Sequence, residues 1–319
     1  MTADAVFEPI NRGYDAAFCP ERLSVGLVVP IEAYPSSSRP SLRHHLERVQ
    51  RAEALGFRAV WLRDVPFDVP SFGDAGQVFD PFVYLGHLAA TTTDITLGVA
   101  STILPLRHPA HVAKAAASAD VLSEGRLVLG IASGDRPEEY PARNVSFADR
   151  GARFRASYDY LRRAARPAPR IDNTYGRIDA DMELLPRPTG PRLPLLLTGH
   201  SQQSPEWVAR HGDGWITYPR PVVMQREVIA MWRNRVAAAG RRPLPAMQSL
   251  YVDLLEDANA PAEPIHLGYR LGHRTLRNHL EALRDAGVNH VALNLRFQRA
   301  DVETALERLA ADVLPTFHQ

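Results

Sequence analysis

The segment Leu197-Thr-Gly-His-Ser-Gln-Gln-Ser204-Pro205 carries the strongest chemical signal in this 319-residue chain. A short apolar run stops at Gly199, two serines follow, and Pro205 stands where the first turn of a helix would begin. Helix starts leave backbone N–H groups without partners and carry the positive end of the peptide dipoles, so an anion is stabilised there. The hydroxyls of Ser201 and Ser204 add donors, and a phosphate is the natural guest. Ser204 also reads simply as a helix N-cap.

Other residue types with chemistry to offer are scattered along the chain. Arg63-Asp64 pairs a fixed cation with a carboxylate able to move a proton, although the two also read as partners for each other or for a nearby helix. Arg107-His108 stands just before Pro109, and His108 with His111 has the spacing of one helix face. No acidic residue sits at ligand spacing from them, so no metal site is expected, and His108 equally reads as the start of a helix. Gly199-His200-Ser201 has the look of a nucleophile elbow. That turn requires glycine two residues after the serine, and Gln203 is there instead, which weighs against a hydrolase. Neither a Walker loop nor a Gly-x-Gly-x-x-Gly run occurs.

The elements that must position these residues alternate regularly. Leu23–Val29 is an apolar, β-branched run, and Ser41 can cap a helix that Gly56 ends. Arg58–Leu62 returns as a second strand, and a long loop, Val65 to Val78, follows. Asp80-Pro81 opens a second helix with a cap and a first-turn proline. Ile95–Ala100, Arg126–Ala132, Pro194–Thr198, Gly214–Tyr218, Gln248–Leu255 and His290–Leu295 continue the strands. Helices are expected over Pro109–Leu122, Asp149–Arg163, Ser204–Arg210, Val222–Ala239, His273–Asp285 and Val302–Val313. Eight strands, each followed by a helix, specify a (β/α)8 TIM barrel. A doubly wound sheet would want glycines after its first strand, where Pro30-Ile-Glu-Ala-Tyr-Pro35 stands. The proline-rich stretch 166–194 reads as an insertion in the second half, with a surface hairpin at Tyr175-Gly176-Arg177. Residues 1–22 read as a loose outer arm anchored by Phe7 and Phe18, and 23–319 as the barrel domain.

In a barrel of this kind the functional face is the carboxyl end of the strands. That rule gathers Arg63 and Asp64, Ser101 and Thr102, Arg107 and His108, Ser133 and Gly134, and the Thr198–Ser204 turn on one face. Composition narrows the partners. With 37 basic and 36 acidic residues the formal net charge is +1, which does not suit a nucleic-acid or anionic-membrane binder. One cysteine, Cys19, excludes an internal disulfide framework. No run is long and apolar enough to cross a membrane, and the first residues lack the apolar core of a secretory signal, so a cytoplasmic location is expected.

Four stretches together resemble the bacterial luciferase-like monooxygenases: Ala54 to Asp64, Ile95 to Pro109, Leu122 to Gly134, and Thr198 through Ala209-Arg-His-Gly-Asp-Gly-Trp215. The likeness runs from about Leu23 to Leu295. Ser133-Gly-Asp-Arg-Pro-Glu-Glu-Tyr140 is similar to a bacterial subfamily of luciferase-type oxidoreductases. The resemblance implies a flavoprotein that uses reduced FMN, supplied by a separate reductase, or in one branch the deazaflavin F420. It implies that Thr198, Gly199, His200, Ser201 and Ser204 take the cofactor phosphate, helped by Ser133 and Gly134. Ala100, Ser101 and Thr102 would lie against the flavin ring, at a place where a cis peptide is common in the family. Asp64, Arg63, Arg107 and His108 would serve catalysis on a small organic substrate with O2. A dehydrogenase using F420 on the same barrel and a flavin carrier without turnover are the alternatives. Relatives often form homodimers through the second and third helices. Asp64 stands where luciferase has a histidine, and Ser133 where it has a phosphate-binding arginine. Aldehyde chemistry is therefore not carried over, and Arg136 or Arg220 becomes a candidate for the phosphate. The loop 65–77, with Gly73 and Gly76, is a candidate lid.

Overall fold

The computed structural model describes residues 6–179 and 181–318. Eight parallel strands close into a barrel: β1 (Ser24–Val28), β2 (Ala59–Leu62), β3 (Thr96–Ile103), β4 (Leu127–Ala132), β7 (Leu195–Thr198), β8 (Gly214–Thr217), β9 (Ala246–Leu254) and β12 (His290–Asn294). The β8–β9 pairing closes the ring. β5 (Ile171–Asn173) and β6 (Gly176–Ile178) form the hairpin of the insertion. A second hairpin, β10 (Glu263–Ile265) and β11 (Gly268–Leu271), extends β9 beyond the ring. Its three- and four-residue strands offer too short an alternation to be read from sequence.

The helices are α1 (Arg12–Ala17), α2 (His45–Ala54), α3 (Pro81–Thr91), α4 (Pro109–Leu122), α5 (Arg150–Ala164), α6 (Pro205–His211), α7 (Val222–Ala238), α8 (His273–Asp285) and α9 (Val302–Asp312). Capping residues legible in sequence act as such. Asp80 accepts from the N–H groups of Phe82 and Val83, and Ser204 from that of Trp207. Ser41 does not cap α2. Its N–H and that of Leu42 are held by the Glu32 carboxylate, and the helix starts at His45.

Two cores follow from strand alternation. Outward residues such as Val25, Leu27, Val60, Leu97 and Leu129 pack under the helices. Inward residues Val28, Ala59, Trp61, Val128, Leu196, Ile216, Met247 and Ala292 fill the barrel. Trp61 occupies the space left by Gly98, where a β-carbon would overlap its ring.

The N-terminal segment is not a loose arm. Phe7, Ile10, Tyr14, Ala17 and Phe18 are buried in the inner core. Asn11 donates to Asp120 and to the Leu127 carbonyl, Thr96 donates to the Gly13 carbonyl, and the Tyr14 hydroxyl donates to the Asp213 carbonyl. Leu127, Thr96 and Asp213 stand at or just before the starts of strands and Asp120 lies in the last turn of α4, so α1 plugs the amino end of the barrel. A polar relay runs up from the plug. Ser24 Oγ donates to the Ala17 carbonyl and so receives the His290 Nδ1 proton, leaving His290 Nε2 to accept from Trp61 Nε1 at 2.8 Å. His290 is therefore the neutral Nδ1–H tautomer. Burial above all, with His318 as a lesser contributor, lowers its pKa to about 3.

Candidate active site

At the carboxyl ends of the strands the inward residues become small: Ala100 on β3 and Ala132 on β4. Gly130 on β4 supplies no side chain, and Ser101 Oγ and Thr198 Oγ1 hydrogen-bond across it from β3 and β7. A β-carbon on Gly130 would lie 3.1 Å from Ser101 Oγ. The Ala100–Ser101 peptide is cis, at the place the resemblance indicated, and Val29–Pro30 is cis as well. An irregularity between Val99 and Thr102 shifts the register. Thr102 consequently pairs with Ile131, which belongs to the outer core, and it does not share the face of Ser101. That shift separates Thr102 from the small-residue floor and corrects the expectation that it lines the mouth.

The turn after β7 is built on left-handed backbone. Gly199, Ser201 and Gln202 have φ of 53°, 48° and 59°. Ser201 Oγ donates to the Thr198 carbonyl at 2.8 Å, and Gln203 N–H to the His200 carbonyl. The backbone N–H groups of His200, Ser201 and Gln202 have no partner among the described residues. Successive free N–H groups in a tight turn form a concave anion nest. The donor set therefore fits a phosphate, with backbone rather than hydroxyls supplying most of it, since Ser201 and Ser204 are both engaged locally. His200 is exposed at the rim. Neither arginine considered for this role reaches the turn. Arg220 folds back onto Thr217, Tyr218 and Gln225, and Arg136 belongs to the lid side. The arginine beside the turn is Arg155 of α5, whose Nε donates to Gln203 Oε1 at 2.9 Å. No spacing rule connects α5 to this loop, so sequence reading had no route to it. Ser133 and Gly134 stand at the end of β4, where the Tyr140 hydroxyl takes the Ser133 carbonyl.

On the opposite side, Asp64 is not a free carboxylate. Arg107 grips both its oxygens, through Nε at 2.9 Å and Nη2 at 2.7 Å, and the Ile103 N–H adds a third bond. Nη2 of Arg107 also reaches Asp80 at 2.8 Å. His108 sits at the N-cap of α4 and turns outward to Tyr175 and Tyr160, away from the floor.

Arg63 pairs instead with Asp74, at the centre of the loop between β2 and α3. Asp74 also accepts from the Tyr34 hydroxyl at 3.0 Å and the Gly76 N–H at 3.0 Å, and lies 3.3 Å from Arg296 Nη1. Burial works to raise the Asp74 carboxyl, but Arg63, the Gly76 N–H and Arg296 outweigh it and hold the pKa below the usual range. Gly73 and Gly76, with φ of 63° in both, give the loop its sharp bends. Arg136 places its guanidinium 4.6 Å from the centre of the Phe72 ring and donates to the Asp74 carbonyl. Beneath it Glu139 is buried and its Oε1 has no hydrogen-bond partner. Burial, opposed by Arg136 and reinforced by Asp64 and Asp135, raises its pKa to about 7. Glu139 lies in the Ser133–Tyr140 stretch, whose local spacing carries no signal that would mark this carboxylate for chemistry.

Among the described residues no group of His, Cys, Asp and Glu could hold a metal, and no helix is long and apolar enough to cross a membrane. Residues 18–313 match the family model described as luciferase-like monooxygenase. An uncharacterised protein of Mycobacterium tuberculosis is 30% identical over 223 residues, covering 65% of this chain and 78% of its own. The F420-dependent hydroxymycolic acid dehydrogenase of the same organism is 30% identical over 241 residues, 74% of this chain and 61% of its own. In fold the chain is similar to the monooxygenase RslO1 from Streptomyces bottropensis, with a TM-score of 0.72 at 21% identity, covering 92% of this chain and 99% of that one. It is similarly close to an F420-dependent secondary alcohol dehydrogenase, with a TM-score of 0.76 at 17% identity over 93% of this chain and 100% of that one.

Proposed function

The chain belongs to the luciferase-like monooxygenase family, whose members are flavin- or F420-dependent oxidoreductases, and from that premise we propose that it is a monooxygenase using reduced FMN and O2 on a small organic substrate. The observation that carries this reading is the pairing of a small-residue floor, Ala100, Ala132 and the Ser101–Thr198 hydroxyl pair, with the nest at Gly199–Gln202 beside it. Together they offer a stretch of small side chains for a ring to lie against and a donor cluster for its phosphate. Reduced FMN, when bound, supplies the electrons for oxygen activation.

The chain's own residues bind, orient and shield. The His200, Ser201 and Gln202 N–H groups hold the phosphate, with Arg155 nearby as a positive charge. Ser101 and Thr198 present hydroxyls to the ring edge. Asp64 acts as a positioning residue, holding Arg107 with both oxygens and fixing the end of β3 by accepting from the Ile103 N–H. The 65–78 loop, clasped by Asp74, keeps water from the mouth. Glu139, with a pKa of about 7, is the group in this region best suited to give or take a proton near neutral pH. A flavin reductase would deliver the cofactor. Homodimer formation would use α3 and α4, which expose Val83, Val121 and Leu122.

An F420-dependent dehydrogenase is the second reading, favoured by the 30% identity with the mycobacterial dehydrogenase. Difference spectra recorded with FMN and with F420 separate the two. The phosphate assignment is tested by titrating FMN against riboflavin. Riboflavin is expected to bind at least about tenfold more weakly, since two or more charge-assisted hydrogen bonds are lost. Ser201→Ala with Ser204→Ala narrows the gap only in part, because the backbone N–H groups remain and the hydroxyls act by holding the turn, and equal binding of both ligands to the unaltered protein refutes the assignment. Oxygen uptake that yields only hydrogen peroxide across a broad substrate panel would favour a carrier.

A further inference from the structure

A cleft of about 640 Å3 opens on the flank of the barrel between α5, α6 and the start of the insertion. Its lining includes Asp213, which immediately precedes β8, so the cleft lies toward the amino ends of the strands, away from the mouth. Seven arginines line it against two aspartates, an excess of five positive charges in a chain whose net charge is +1.

Four of the seven have internal work. Arg162 and Arg192 pair with the buried Asp213 at 2.5 and 3.0 Å, and Arg163 pairs with Asp159. Arg241 donates to the carbonyls that end α6. Arg166, Arg170 and Arg210 have no hydrogen bond or ion pair from their guanidinium groups among the described residues. All three are exposed at the rim of the same cleft. The positive field reaches His211 in the wall. Burial lowers its pKa most, the Trp207 carbonyl opposes, and Arg210, Arg155 and Arg241 push it further down.

Attraction by the negative ends of α5 and α6 accounts for Arg162 and Arg241, which reach the last carbonyls, but it leaves the three rim arginines unexplained. Several unpaired guanidinium groups lining one concave space match a ligand with closely spaced oxyanions. We infer that this cleft, on the outer flank of the barrel, is a second ligand site for a compact anion carrying three or more negative charges, of the kind that adjacent phosphates or carboxylates present.

Inorganic triphosphate is the probe, titrated calorimetrically into the full-length protein at low salt. One-to-one binding is expected, with a rise in the unfolding temperature and weakening as salt is added. The triple variant R166A/R170A/R210A, whose altered side chains are all exposed, should lose at least about tenfold in affinity while its FMN titration and circular dichroism stay unchanged. ATP and citrate identify the source. ATP matching triphosphate supports a phosphate chain, and citrate matching it supports a tricarboxylate. Affinity unchanged in the triple variant, displacement of bound FMN by triphosphate, or tighter binding of a single-stranded oligonucleotide than of triphosphate would each overturn the inference.

Discussion

Arg107 holds Asp64 through two parallel hydrogen bonds, Nε to one carboxylate oxygen and Nη2 to the other, and ties the end of β2 to the segment that follows β3. The geometry is the fork-to-fork match that makes arginine and carboxylate the strongest side-chain pair. The Asp64 side chain is almost fully buried, so removing its charge leaves a partly buried guanidinium with only Asp80.

Asp64→Asn should therefore lower stability by about 2 kcal/mol, less than a fully buried pair broken outright because Asp80 remains. Urea unfolding measures this. FMN affinity should change little, and the pH profile of turnover should keep its shape. A profile that loses one limb would make Asp64 a direct proton carrier instead.

The two histidines at the amino end of the barrel set an acid limit. His290 is held to about 3 and His318 to about 4, both chiefly by burial. Both folded values lie below the unfolded one, so their contribution is intact above about pH 6.5 and is lost as pH falls toward 4. Over that window the unfolded chain takes up about two protons that the native chain does not. Denaturation at a series of pH values should show this slope, and His290→Gln should reduce it by about one proton.

Glu139 has the opposite sign. Its pKa rises from 4.5 to about 7, so the native state retains a proton that the unfolded chain has released. Stability from this group falls as pH rises between those values. Glu139→Gln should remove that decline and raise stability at pH 8 by on the order of 1 kcal/mol. If Glu139 also handles protons in the reaction, the same variant loses turnover without losing FMN affinity.

Tyr14 tests the plug. Its ring is buried in the inner core and its hydroxyl closes on the Asp213 carbonyl at 2.7 Å. Tyr14→Ala should cost about 3–5 kcal/mol, the range for deleting a large buried side chain, and Tyr14→Phe about 1–2 kcal/mol. Thermal unfolding distinguishes these from the near-zero effect expected of a loose arm.

Local rules were enough for much of the framework. Pro109–Leu122 and His273–Asp285 are helices with the boundaries that proline, glycine and apolar spacing indicate. The barrel strands lie within about two residues of their apolar runs, except that β3 continues three residues past Ala100. The plug was missed because Phe7, Ile10, Tyr14 and Phe18 lie in and around a six-residue helix, too short to show a stripe. The Glu32 carboxylate that displaces Ser41 as a cap was missed because side-chain competition for N–H groups leaves no periodic trace.

The chain by itself determined the alternation of strand and helix, the preference for a barrel over a doubly wound sheet from the residues after the first strand, the glycine-serine turn after the fifth barrel strand, and the family. These are short-range patterns, written within a dozen residues at a time. Only the tertiary structure decided that Asp64 answers to Arg107, that Arg63 answers to Asp74 together with Tyr34 and Arg296, and that Arg155 stands beside the turn. Those partners arrive from separate loops and helices when the ring closes. Which charges meet then depends on strand register and burial, and no spacing along the chain encodes either one.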